Sequence, residues 1–301
     1  MRAKKKRVGI MAQVNAGGEM RIAVAIFLAF ILFIVMPSAY IDYTLVYHPQ
    51  NQAINPAYHQ LKAAIVDQLS LTLPNKTFIQ TTKNILEKAG YAVDYYPSEQ
   101  VTVEFYRNLP THDYTLIVLR AHSALRLNLA PMDRPDFSVP EQLDPSVVFF
   151  TSERFDPYKY LPEVLTDKLL QVAYNLSGPK LTWPTYFAIT SKFIRQDMKG
   201  QFQNTTIIMM GCNGLTCTDM ARALIQKGAK VYISWDKSIS VNHTDQATAY
   251  LLKHLITEKQ TIGQATDETM KEVGFDPAYK SQLSYYPLEV RDTKIEDIAG
   301  T

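Results

Sequence analysis

The chain has 301 residues, 47% of them hydrophobic and 20% charged, enough for one sizeable α/β core with appendages. Its formal net charge of +2 hides an asymmetry: Arg2, Lys4, Lys5, Lys6, Arg7 and Arg21 stand against Glu19 alone, placing +5 in residues 1–21 and leaving −3 for the remainder. A mildly acidic body lacks the basic face that nucleic acid requires, so no nucleic-acid partner is expected.

The basic tail leads into Ile22 to Ile41, twenty residues without a charge. At about 1.5 Å rise per residue they span a hydrocarbon core of about 30 Å, which predicts a transmembrane helix. Cations precede it and few follow, so the positive-inside rule keeps residues 1–21 cytoplasmic and places the chain from about residue 42 outside. This is a signal anchor in the cell membrane. The rival, a cleaved signal peptide, has a shorter apolar run and an A-x-A site, neither of which is present. Residues 42–61, polar with prolines and tyrosines, read as a juxtamembrane linker. Four N-x-S/T sequons, at Asn75, Asn175, Asn204 and Asn242, fall on the expected outer side and are candidate glycosylation sites.

From residue 62 to 301 a βα alternation predicts an α/β domain: a three-layer αβα sandwich with a mostly parallel central sheet. Ala63 to Leu69 is the first strand. Asn75 to Ala89 follows as a helix stopped at Gly90, then Tyr91 to Tyr96 as a strand, Thr102 to Asn108 as a short helix and Tyr114 to Leu119 as the third strand. Prolines cluster between residues 125 and 200, which read as an insertion holding a strand-like Val147 to Thr151 and a helix-like Leu161 to Tyr174. The core resumes at Ile207 to Met210. Thr218 to Lys227 is then a helix, Lys230 to Trp235 a strand, Asp245 to Ile256 and Ile262 to Val273 helices, and Ser284 to Glu289 an edge strand.

Two of these strands end on reactive side chains. Leu116 to Leu119 runs into Arg120-Ala121-His122-Ser123, and Ile207 to Met210 into Gly211-Cys212-Asn213-Gly214. Parallel strands bring their C-termini to one edge, where ligands bind. Neighbouring strands lie about 4.8 Å apart, so an imidazole and a thiol just past their ends can meet as general base and nucleophile. There is no GxGxxG loop, no H-E-x-x-H and no Cys/His metal spacing, so neither cofactor nor metal is expected.

Strand-His, then strand-Cys-x-Gly, then GAKVYISW and Asp245-Gln246-Ala247-Thr248, resembles the caspase-fold cysteine peptidases, the superfamily of caspases, gingipains, clostripain and CHAT domains. The resemblance covers roughly residues 62–290. It implies that His122 is the general base and that Cys212 forms an acyl-enzyme with a peptide substrate. It also implies an oxyanion hole from the backbone N–H groups of Cys212 and Ser123, with Gly211 and Gly214 allowing the turn beneath the thiol. The family usually has glycine where this chain has Ser123. Glycine permits φ > 0, so the departure puts in question one donor worth roughly 3 kcal/mol. Family members that cut after Arg or Lys read that side chain with a carboxylate near the fifth strand; Asp236 and Asp245 are available, with Trp235 as core or pocket wall, and the expectation is cleavage after Arg or Lys.

Other readings stand beside this one. Asp245 also suits a helix N-cap. Cys212 and Cys217 can oxidise to each other outside the cell, although a nucleophile needs a free thiolate; Cys217 reads as structural. His243 and His254 read as solvent-facing. The same fold without turnover would be a surface binding module. An α/β-hydrolase with a cysteine nucleophile would need G-x-C-x-G, where this chain has Met210, and a base at His243 or His254.

Overall fold

A computed structural model of the protein describes residues 61–126, 146–173 and 184–299, all within the compact unit Gln60–Thr301. The basic tail 1–21, the expected anchor 22–41, residues 42–60 of the expected linker and the Asn175 sequon lie outside the described residues. Among the described residues no helix is long and apolar enough to cross a membrane.

The protein is α/β, built on a mixed, mostly parallel sheet of six strands. In chain order these are β1 (Lys62–Asp67), β2 (Ala92–Pro97), β3 (Leu116–Arg120), β8 (Thr205–Met209), β9 (Ala229–Trp235) and β10 (Leu283–Tyr286). Their spatial order is β10-β9-β8-β3-β1-β2, and only β10 runs antiparallel, against β9. Alternate residues serve opposite faces because successive strand side chains point to opposite sides. Ala64, Val66, Ile117, Leu119, Ile207 and Met209 join one core cluster, while Ala63, Ile65, Leu116, Val118, Ile208 and Met210 join the other. The second face is covered by α1 (Lys76–Lys88), α6 (Val241–Leu252), α7 (Ile262–Val273) and α8 (Ile295–Ala299). The first is covered by α2 (Val103–Asn108), α4 (Ser191–Gln196) and α5 (Asp219–Gln226). Burial on both faces is why the central strands read as unbroken apolar runs.

The region between β3 and β8 differs from expectation. It carries its own antiparallel sheet, ordered β4-β5-β7-β6, from β4 (Ser123–Arg126), β5 (Ser146–Arg154), β6 (Leu169–Ala173) and β7 (Thr185–Ile189). Val147, Phe149, Leu169, Phe187 and Ile189 pack this sheet into the first core cluster. The expected helix from Leu161 to Tyr174 is confined to α3 (Leu161–Leu165). Asp167 then adopts a left-handed φ of 57°, which ends the helix, and Leu169 to Ala173 alternate in burial as β6 pairs with β7. The second sheet begins at Ser123, so the chain enters it directly after His122.

Candidate functional site

His122 and Cys212 arrive at one edge because β3 and β8 are direct neighbours, parallel, with Leu116, Ile117, Val118 and Leu119 opposite Thr206, Ile207, Ile208 and Met209. The ladder runs one step further, through the Met210 N–H to the Leu119 carbonyl at 2.9 Å. Both residues line one cavity of about 20 Å³, together with Arg120, Ala121, Gly211 and Ile239. That volume holds about one water.

His122 is held by its backbone on two sides. Its N–H donates to Gln68 Oε1 at 3.0 Å, and its carbonyl accepts the Phe150 N–H at 3.0 Å. The ring sits 5.9 Å from that of Phe150. Burial, with a smaller push from the Arg120 charge, lowers the imidazole from 6.5 to about 4. A neutral ring at pH 7 is in the form a general base requires.

The Cys212 sulfur lies against the segment after β9. Its Sγ is 3.5 Å from the Ile239 N–H and 3.7 Å from the Ile239 carbonyl. The loop that presents it is tied to β9 and beyond, Asn213 N–H donating to the Lys237 carbonyl at 2.8 Å and Leu215 N–H to that of Trp235 at 2.9 Å. The left-handed residue of this turn is Asn213, at φ 60°, and not Gly214. Asn tolerates that conformation by local hydrogen bonding, and the Asn-Gly dipeptide was the signal for it. Gly214 is needed for space: a Cβ there would run into the Ser234 and Tyr232 hydroxyls. Gly211 is needed likewise, since a Cβ would occupy the place of Ser123 Oγ and the Ala121 carbonyl.

Ser123 is 6% exposed and has no positive φ. Its Oγ donates to the Cys212 carbonyl at 2.5 Å. The Phe150–His122 hydrogen bond fixes the register of β4 on β5, and it leaves Ser123 opposite Phe149 at a non-hydrogen-bonded position. At such positions the N–H points away from the partner strand. The Ser123 N–H therefore points away from β5.

No protein-family model matches this chain, and no curated protein matches it.

Beside the cavity lies a buried ion cluster. Arg120, 1% exposed, donates through Nε and Nη2 to the two carboxylate oxygens of Asp245 at 2.8 and 2.9 Å, through Nη1 to Asp67 at 2.8 Å, and through Nη2 to the Leu73 carbonyl at 2.8 Å. Burial pushes the Asp67 carboxyl above its ordinary range, against the pull of Arg120. Asp245 also accepts Asn75 Nδ2 at 2.8 Å. It is thus neither the expected N-cap nor a free pocket carboxylate: α6 starts at Val241 with Ser240 as its cap, which moves Asp245 into the second turn, facing Arg120. Asp236 is half-buried at the end of β9, with its Oδ1 accepting the Gln282 N–H at 2.7 Å. Trp235 is core, 1% exposed, its indole N–H donating to Thr244 Oγ1 at 2.9 Å.

The remaining candidates are placed elsewhere. Cys212 and Cys217 are both free thiols. Cys217 donates to Asp219 Oδ1 at 3.2 Å, and burial together with that carboxylate raises its thiol to about 12. His254 is 5% exposed and pairs with Glu258 at 2.7 Å, so it is buried where a solvent-facing residue was expected: the chain continues past α6 as a π-helical turn that folds it inward. His243 contacts the Gly274 carbonyl at 3.2 Å, and neither histidine lines the Cys212 cavity. The Asn75 side chain caps α1 through the Phe78 N–H and spends its amide on Asp245, whereas Asn242 is exposed and Asn204 half-buried. Among the described residues no group of three or more His, Cys, Asp or Glu could hold a metal ion.

Proposed function

We propose that this protein is a cysteine endopeptidase of the caspase-fold kind, anchored by residues 22–41 and working outside the cytoplasm on peptide or protein substrates. The observation that carries the reading is the convergence of His122 and Cys212 on one cavity at the C-terminal edge of adjacent parallel strands. His122 takes the thiol proton, and Cys212 Sγ bonds to the substrate carbonyl carbon, whose oxygen takes the displaced electron pair. The oxyanion meets the N–H groups of Cys212 and Ser123. Collapse expels the amine, which takes its proton from His122; water, deprotonated in turn by His122, then cleaves the thioester and restores the thiol.

For a basic side chain before the scissile bond, the available carboxylate is Asp236, because Asp245 is committed to Arg120. A second reading, a binding module without turnover, draws on the narrowness of the cavity, about 20 Å³ against the size of a peptide carbonyl and its flanks. One experiment separates the two. Full-length protein in detergent is treated with a fluorescent peptidyl chloromethyl ketone carrying Lys next to the warhead. Labelling of wild type that vanishes in Cys212→Ala supports the peptidase; equal labelling of both removes it. Cleavage profiling that shows preference for acidic or apolar residues at that position removes the Arg/Lys specificity alone.

A further inference from the structure

Beyond the Met210–Leu119 hydrogen bond, β3 and β8 part company. The chain at His122 turns away into the second sheet, and the chain at Cys212 turns towards β9, held there by the Lys237 and Trp235 carbonyls. The ladder that aligns the strands therefore stops short of the two reacting groups. What spans the gap is a side chain: Ser123 Oγ, next to the base, donates to the carbonyl of the nucleophile's own residue at 2.5 Å. Ser123 is buried and Cys212 half-buried at this contact, and Gly211 makes room for it, since any Cβ there would displace the hydroxyl. Gln68, fully buried, holds the other side of His122 through its N–H at 3.0 Å.

We propose that Ser123 is a positioning residue whose hydroxyl clasps the Cys212 carbonyl and so sets the approach of the His122 ring to the Cys212 thiol. This rests on the His–Cys reading above. It also reverses the meaning of the departure from glycine. Ser123 fills a non-hydrogen-bonded strand position without left-handed backbone, so its N–H points away from β5 while its hydroxyl does what glycine cannot. Misplacing reacting groups by about 1 Å costs about a hundredfold in rate, so loss of the clasp is expected to be visible in the chemistry before it is visible in the fold.

The test compares Ser123→Ala, Ser123→Gly and Ser123→Thr with wild type in the full-length protein in detergent. The readouts are the rate of Cys212 alkylation by iodoacetamide from pH 5 to 9, followed by mass, together with kcat/KM on a Lys-containing peptide and the melting temperature. Ala and Gly are expected to slow alkylation at pH 7 and lower kcat/KM by about tenfold to a hundredfold. Thr, which keeps the hydroxyl, is expected to recover most of the alkylation rate that Ala and Gly lose. Should Thr fold poorly, the Ala and Gly results decide. A wild-type alkylation profile in Ser123→Ala overturns the clasp, and so does a Ser123→Gly variant that turns over faster than wild type, which would make the serine a defective oxyanion donor. Failure of the underlying reading looks different: wild type would show no turnover, and its Cys212 would alkylate no faster than that of His122→Ala.

Discussion

Arg120→Leu tests the ion cluster that walls the site. The substitution removes the cation and leaves Asp67 and Asp245, 1% and 4% exposed, buried beside an apolar side chain. Two charged carboxylates cannot remain there unpaired, so the variant folds by taking up a proton. At pH 7, about three units above the ordinary Asp value of about 3.9, that uptake costs about 4 kcal/mol; at pH 5 it costs only about 1.5 kcal/mol. The sign follows from linkage. A carboxyl whose folded pKa lies above its unfolded one binds more protons in the native state, so its penalty is absent at low pH and grows as pH rises. Urea unfolding at pH 5 and pH 7 reads both values, and for a domain of this size the melting temperature at pH 7 is expected to fall by roughly 10 °C. Adding Asp245→Asn recovers part of the loss and flattens its pH dependence. A loss under about 1 kcal/mol, equal at both pH values, would refute the picture of a buried, mutually dependent cluster.

Three further outcomes follow from the same geometry. Asn75→Ala removes both the α1 cap and a donor to Asp245, and is expected to cost about 1–2 kcal/mol in urea unfolding; a cost under about 0.5 kcal/mol would contradict the assigned contacts. With His122 lowered to about 4, the acid limb of kcat/KM is expected near pH 4 instead of the ordinary 6.5, and a limb at 6.5 would show a solvated ring. The same shift means that the unfolded chain binds this proton first, so His122 weakens the fold as pH falls from 6.5 to about 4. Cys217→Ser is expected to leave iodoacetamide incorporation at pH 8 unchanged, since burial and Asp219 hold that thiol at about 12; loss of half the label would show Cys217 to be reactive.

The central sheet was legible because burial on both faces writes itself as apolar runs, and β3 and β8 carry two of the clearest, LIVLR and TTIIM. The strand ends were legible for the same reason. The second sheet was not: β6 and β7 are short, partly exposed and antiparallel, and β6 follows α3 so closely that LPEVL and LLQVA read as one amphipathic helix. Asp245 was ambiguous because an Asp caps a helix only where the helix begins, and Ser240 begins this one. Arg120 closes an apolar strand, but its role was not legible in the sequence, because its carboxylate partners lie 53 and 125 positions away in the chain. Ser123 was visible as a departure from glycine, but only its contact with the Cys212 carbonyl, 89 positions on, turns it from a backbone question into a hydroxyl's role.

Activation of Cys212 by His122 is read from the pH dependence of Cys212 alkylation in wild type and His122→Ala, followed by intact mass and peptide mapping. Rapid modification at Cys212 alone is expected in the wild type at pH 7, with a slowing of about a hundredfold or more in His122→Ala. Equal rates in the two proteins, or modification falling on Cys217, would contradict it.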